Sequence, residues 1–114
     1  MISNDLLKGS LKTIILKVLK EEGPMHGYLL TKKVEELSGG KIILTYGALY
    51  PVLHKLENEK ALVTSTEIRN NRTRICYTLT PKGQSLVEKK LEEMKEFIES
   101  LQLVLKTKPG LNYA

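Results

Sequence analysis

Thr45-Tyr46-Gly47-Ala48-Leu49-Tyr50-Pro51-Val52-Leu53-His54-Lys55-Leu56-Glu57-Asn58-Glu59 is followed at once by a change of period, and that change decides the fold. Within the quoted stretch Leu49, Val52, Leu53 and Leu56 recur at helical spacing and share one face, which predicts a helix over 45–59. The Thr45 hydroxyl can cap it. Gly47, Tyr50, His54 and Asn58 fall on the opposite face, because each residue turns the helix by about 100°. Downstream, Leu62–Ile68 and Arg74–Leu79 are rich in Val, Ile, Thr and Tyr and read as strands. Between them Arg69-Asn70-Asn71-Arg72-Thr73 reads as a turn, since asparagine tolerates positive φ. The pair is a hairpin with Ile75, Tyr77 and Leu79 on one side.

Upstream, Leu7, Leu11, Ile14, Ile15, Val18 and Leu19 mark a first helix over 4–21, ended by Gly23-Pro24. A second helix is expected over 26–37, with Leu30, Val34 and Leu37 inward and Ser38-Gly39-Gly40 closing it. The short apolar run Lys41–Leu44 reads as a small strand. Past the hairpin, Thr80 caps and Pro81 starts a last helix reaching about Lys106; proline suits the first helical position because no donor is needed there. The expected fold is mainly α with a small β-hairpin: a winged helix-turn-helix over 1–80, a long dimerisation helix over 81–106, and a flexible tail over 107–114.

The 114 residues suit one such unit, and 41% hydrophobic content supports a modest core. A net charge of +5 favours polyanionic partners. Cys76 is the single cysteine, so no intramolecular disulfide forms and a reducing setting is expected. The start of the chain lacks the basic patch and apolar run of a signal peptide, and no stretch reaches the roughly 18 apolar residues of a membrane span. The expectation is a soluble cytoplasmic protein with no membrane partner.

The chain's arginines are Arg69, Arg72 and Arg74, all at the hairpin tip. A guanidinium forks onto phosphate and also fits a narrow minor groove, so the tip reads as a wing gripping double-stranded DNA. The alternative is a turn kept soluble by charge. On helix 45–59 the outer face offers Tyr46, Gly47, Tyr50 and His54, flanked by Lys55. Glycine admits a phosphate to the backbone, while tyrosine and histidine can reach phosphates or base edges. The expected DNA-binding set is Thr45, Tyr46, Gly47, Tyr50, His54, Lys55, Arg69, Arg72 and Arg74. Pro51 breaks a local rule, since an interior proline costs about 3 kcal/mol against alanine. Such violations cluster at functional or strained sites.

In the last helix Val87, Leu91, Met94, Ile98, Leu101 and Leu105 follow the 4-3 alternation of a heptad seam, with Phe97 and Val104 beside it. A small wing domain has little surface to cover such a seam, so a homodimer is expected. Its interface would take the seam residues together with Leu7 and Leu11. Paired third helices would meet half-sites about one DNA turn, roughly 34 Å, apart.

Enzymatic readings find little support. His26, His54 and Cys76 lack metal-ligand spacing, and no phosphate-binding glycine loop is present, so neither cofactor nor metal is expected. His26 reads as a polar residue at the start of the second helix. The remaining alternative is a winged helix serving as a protein-interaction module.

Three segments resemble the PadR family of bacterial regulators, named for a phenolic-acid-responsive repressor. They are Gly23-Pro24-Met25-His26-Gly27-Tyr28, Tyr46 through Glu57, and Tyr77-Thr78-Leu79-Thr80-Pro81-Lys82-Gly83. The resemblance implies a winged-helix dimer, usually a repressor, binding palindromic operator DNA through Thr45, Tyr46, Tyr50 and their neighbours. It also implies that Pro51 is a family feature. Multidrug-sensing members stack flat ligands on a tryptophan of the dimer helix. This chain has no tryptophan, and its matching position is Met94. With Phe97, that methionine is the candidate pocket for a small aromatic or apolar effector.

Overall fold

A computed structural model describes residues 1–106. The element order is α1 (Asn4–Leu7), α2 (Leu11–Glu22), β1 (Met25–His26), α3 (Gly27–Leu37), α4 (Tyr46–Asn58), β2 (Leu62–Arg69), β3 (Arg72–Leu79) and α5 (Pro81–Leu105). Helices α2, α3 and α4 pack around one core in which Ile15, Leu16, Leu30, Leu49, Leu53, Leu56 and Val87 are fully buried. Each such side chain contributes roughly 1.5–3 kcal/mol by leaving water. The hairpin lies beside α4, giving the winged helix-turn-helix that the sequence predicts.

The expected first helix is two. Gly9 has no side chain to restrain it, and Ser10 bonds the Leu7 carbonyl with both its amide (2.8 Å) and its hydroxyl (3.0 Å). Serine thereby offers that carbonyl an alternative to the helix, and the helix restarts at Leu11. Lys41–Leu44 is not a strand. Leu44 is anchored in the core, and the Lys41 carbonyl accepts the Ile2 amide at 2.9 Å. The third strand is instead β1. Gly23, at φ 86°, turns the chain so that Met25 and His26 pair antiparallel with Tyr77 and Cys76. The sheet order is β1-β3-β2, with β3 central.

The hairpin closes tightly. Asn70 (φ 49°) and Asn71 (φ 62°) are both left-handed, the requirement of a two-residue type I′ turn. Arg69 and Arg72 therefore face each other across the last rung. Helix α4 ends in a Schellman motif: Ala61 N–H donates to the Leu56 carbonyl (2.9 Å) and Lys60 N–H to the Glu57 carbonyl (3.0 Å).

Thr80 caps α5 by accepting the Gly83 amide at 3.0 Å, and its hydroxyl donates to the Lys60 carbonyl at 2.6 Å. A methyl on Gly83 would overlap the Ala61 carbonyl oxygen, so glycine there lets α5 start directly against the end of α4. An ion pair joins Lys20 of α2 to Glu88 of α5. Only the first half of α5 is covered. Val87 is buried, and Leu86 and Leu91 pack partly against the core, whereas Phe97, Ile98, Leu101, Leu103, Val104 and Leu105 are 40–78% exposed.

That corrects the expected interface. Leu7, Leu11 and Val87 are 4%, 6% and 1% exposed within one protomer and cannot offer area to a second. The heptad seam is continuous in sequence, but its first turns face the body and only its later turns stand clear. The expected flexible tail over 107–114 lies outside the described residues.

Candidate nucleic-acid interface

Thr45 Oγ1 accepts the Ala48 amide at 3.2 Å and fixes the start of α4. Tyr46, Gly47, His54 and Lys55 are exposed, and Tyr50 is half-buried. Tyr46, Tyr50 and His54, spaced four apart, form a ladder of rings with centroids 5.7 and 6.3 Å apart. Tyr50 lies where it does because residue 27 is glycine; a Cβ there would sit 2.5 Å from the Tyr50 Oη. Nothing in the protomer approaches the missing side chain of Gly47 within 4 Å. Intramolecular packing therefore does not require that glycine. Pro51 has no N–H for the Gly47 carbonyl one turn earlier, yet the helix runs through it from Tyr46 to Asn58.

The wing carries its charge at two levels. Arg69 and Arg72 are exposed at the tip as direct cross-strand neighbours, an arrangement that repels unless an anion intervenes. Arg69 Nε is 3.2 Å from Glu67. Arg74 sits further in, half-buried, with Nη1 2.8 Å from Nε2 of His26. The three arginines are therefore not equivalent: two reach outward and one lies against the body.

Between α4 and the wing is a cleft of about 660 Å³. Tyr46 and Tyr50 form one wall and Arg72, Thr73, Arg74 and Ile75 the other, with His26, Gly27 and Tyr28 closing the inner end. His54 and Lys55 lie outside it, further along α4. Sequence reasoning left His26, Tyr28 and Ile75 out of the site. The Gly23–Tyr28 segment carried the signal for the first two, but only the pairing of β1 with β3 brings them beside the wing. Tyr28 stacks with His26 at 6.3 Å, and Lys32 Nζ lies 5.5 Å from the Tyr28 ring centre.

Other chemistry is sparse. Burial, then Glu67, pushes the half-buried Cys76 thiol up, which keeps it protonated. Among the described residues no group of His, Cys, Asp or Glu is placed to hold a metal ion, and no helix is long and apolar enough to cross a membrane.

Comparison with known proteins bears on the family and the fold. Transcriptional regulator YqjI of Escherichia coli K12 is 31% identical over 94 residues, which cover 82% of this chain and 44% of that protein. The chain thus spans less than half the length of that relative. Transcriptional regulator Rv3488 of Mycobacterium tuberculosis is 32% identical over 75 residues, 66% of this chain and 67% of its own. A transcriptional regulator from Clostridium thermocellum superimposes with a TM-score of 0.82 at 25% identity, over 93% of this chain and 100% of that one. The pattern of the transcriptional regulator PadR-like family matches residues 15–89, and the chain belongs to that family.

Proposed function

We propose that this chain is a dimeric, sequence-specific DNA-binding transcriptional regulator, a cytoplasmic repressor of a palindromic operator. It performs no catalysis in this reading. The observation that carries it is one cleft with Tyr46 and Tyr50 of α4 on one side and the arginine-bearing wing on the other. Helix α4 enters the major groove, where Tyr46, Tyr50, His54 and Lys55 meet base edges and phosphates. The wing lies along the flanking backbone or minor groove, where Arg69 and Arg72 exchange mutual repulsion for phosphate contact.

The uncovered half of α5 supports the dimer. Met94, Ile98, Leu101 and Leu105 continue the seam beyond the body, and a second copy related by a two-fold axis covers both seams at once. An apolar effector, where one acts, would lie along the same stretch beside Met94 and Phe97.

The test is a salt titration with duplex DNA. Replacing both Arg69 and Arg72 with alanine should weaken binding to every duplex and lower the slope of log affinity against log salt by about two. An unaltered slope removes the wing tip from the interface. Failure of the unmodified protein to shift any duplex in dilute buffer would favour a protein-interaction module instead.

A further inference from the structure

His26 is asked for two hydrogen-bond acceptors and has one. Its Nδ1 accepts the Leu29 amide at 3.3 Å and so caps α3, while Nε2 faces Arg74 Nη1 at 2.8 Å. A neutral imidazole has one bare nitrogen and one N–H. With Nδ1 capping the helix, Nε2 carries the hydrogen and meets the guanidinium donor to donor. With the other tautomer, Nδ1–H meets the Leu29 amide in the same way. Glu67, the cross-strand partner of Arg74, has a carboxylate oxygen 3.2 Å from Arg69 Nε. The His26–Arg74 contact is short of an acceptor; His26 closes the inner end of the cleft, Arg74 meets it from the wing wall, and both also border a smaller hollow shared with Glu67 and Arg69.

An anion against both would correct this. One oxygen can accept from Nε2–H and another from the guanidinium, leaving Nδ1 to cap the helix. We infer that His26 and Arg74 together bind one backbone phosphate of duplex DNA at the inner end of the cleft, with His26 donating through Nε2–H. This rests on the DNA-binding reading above and adds a contact on the α3 side of the cleft, away from α4 and the wing tip.

The site couples binding to a proton. In the free protein, burial first and Arg74 next hold His26 below the ordinary histidine range, with Arg69 adding to the effect and Glu67 opposing it. The uncharged Tyr28 ring stacks on the imidazole, and Arg72 lies on the cleft wall. A phosphate shared with Arg74 favours the imidazolium; the added hydrogen goes to Nδ1 and gives up the Leu29 cap, an exposed bond already long at 3.3 Å, in exchange for a charge-assisted contact. The bound-state pKa thus exceeds that of the free state, binding takes up a proton, and affinity rises as pH falls through the histidine range.

The experiment is fluorescence anisotropy of a labelled random-sequence duplex across a salt series, at about pH 6 and about pH 8. It compares the full chain with His26→Asn, in which asparagine keeps an N-cap acceptor. His54 is intact in both proteins, so the difference between them isolates His26. The ratio of affinity at the lower pH to that at the higher should be about three- to tenfold larger in the unmodified protein. Arg74→Gln, which leaves the cap untouched, should reduce the salt slope by about one. An equal pH ratio in His26→Asn, or an undiminished slope in Arg74→Gln, overturns the site while the DNA-binding reading stands. Absence of duplex binding by the unmodified protein at either pH overturns both.

Discussion

At the scale of one residue, Gly47 is where the proposed recognition role can be tested apart from folding. Its position in α4 is helical and open, so a methyl meets nothing in the protomer. Gly47→Ala should raise stability by up to about 1 kcal/mol through helix propensity and weaken DNA binding by blocking backbone approach. Thermal unfolding and a duplex titration on the same preparation check both signs; a variant that gains stability and keeps its affinity would remove Gly47 from the interface. At this scale the sequence is legible wherever the rule is local. Thr45, Thr80 and Pro81 announce their caps, and Asn70-Asn71 announces its turn, because the physics is confined to three or four neighbours. The role of His26 is not legible, since its partner Arg74 is 48 residues away and reaches it through strand pairing alone.

At the scale of elements, the junction between α4 and α5 fixes where the last helix points. Thr80 bonds the Lys60 carbonyl, and Gly83 lets α5 lie against the Ala61 carbonyl. Gly83→Ala should cost about 1–3 kcal/mol, because backbone rather than a flexible side chain must yield. It should also redirect α5 and weaken self-association, to be read by chemical denaturation and sedimentation. Normal stability and normal assembly would show that the close approach is dispensable. Periodicity located the four longer helices and both hairpin strands. It erred where a second force competes with period: Ser10 diverts the Leu7 carbonyl and breaks the first helix, and the apolar Lys41–Leu44 run serves the core as irregular chain because β3 already has β1 at its free edge.

For the whole molecule, the radius of gyration is 16.9 Å, against roughly 13 Å for a compact chain of this length. The excess reflects α5 running clear of the body. Ile98→Glu should therefore give a folded monomer that binds random duplex weakly and loses preference for paired half-sites. Leu11→Ala should instead lower protomer stability by about 2–5 kcal/mol. Sedimentation of Ile98→Glu as an unchanged dimer would rule out this seam as the contact. Sequence pattern revealed that a seam exists but not where it divides between the body and a partner, since both surfaces demand the same apolar spacing. The anchoring of α5 through Gly83 and the Lys20–Glu88 pair has a last consequence. In the proposed dimer each reading head is bolted to its own shaft, so the pair behaves as a caliper whose jaw opening is set where the shafts cross. Any change at that crossing alters the operator spacing the protein accepts, without touching a residue that meets DNA.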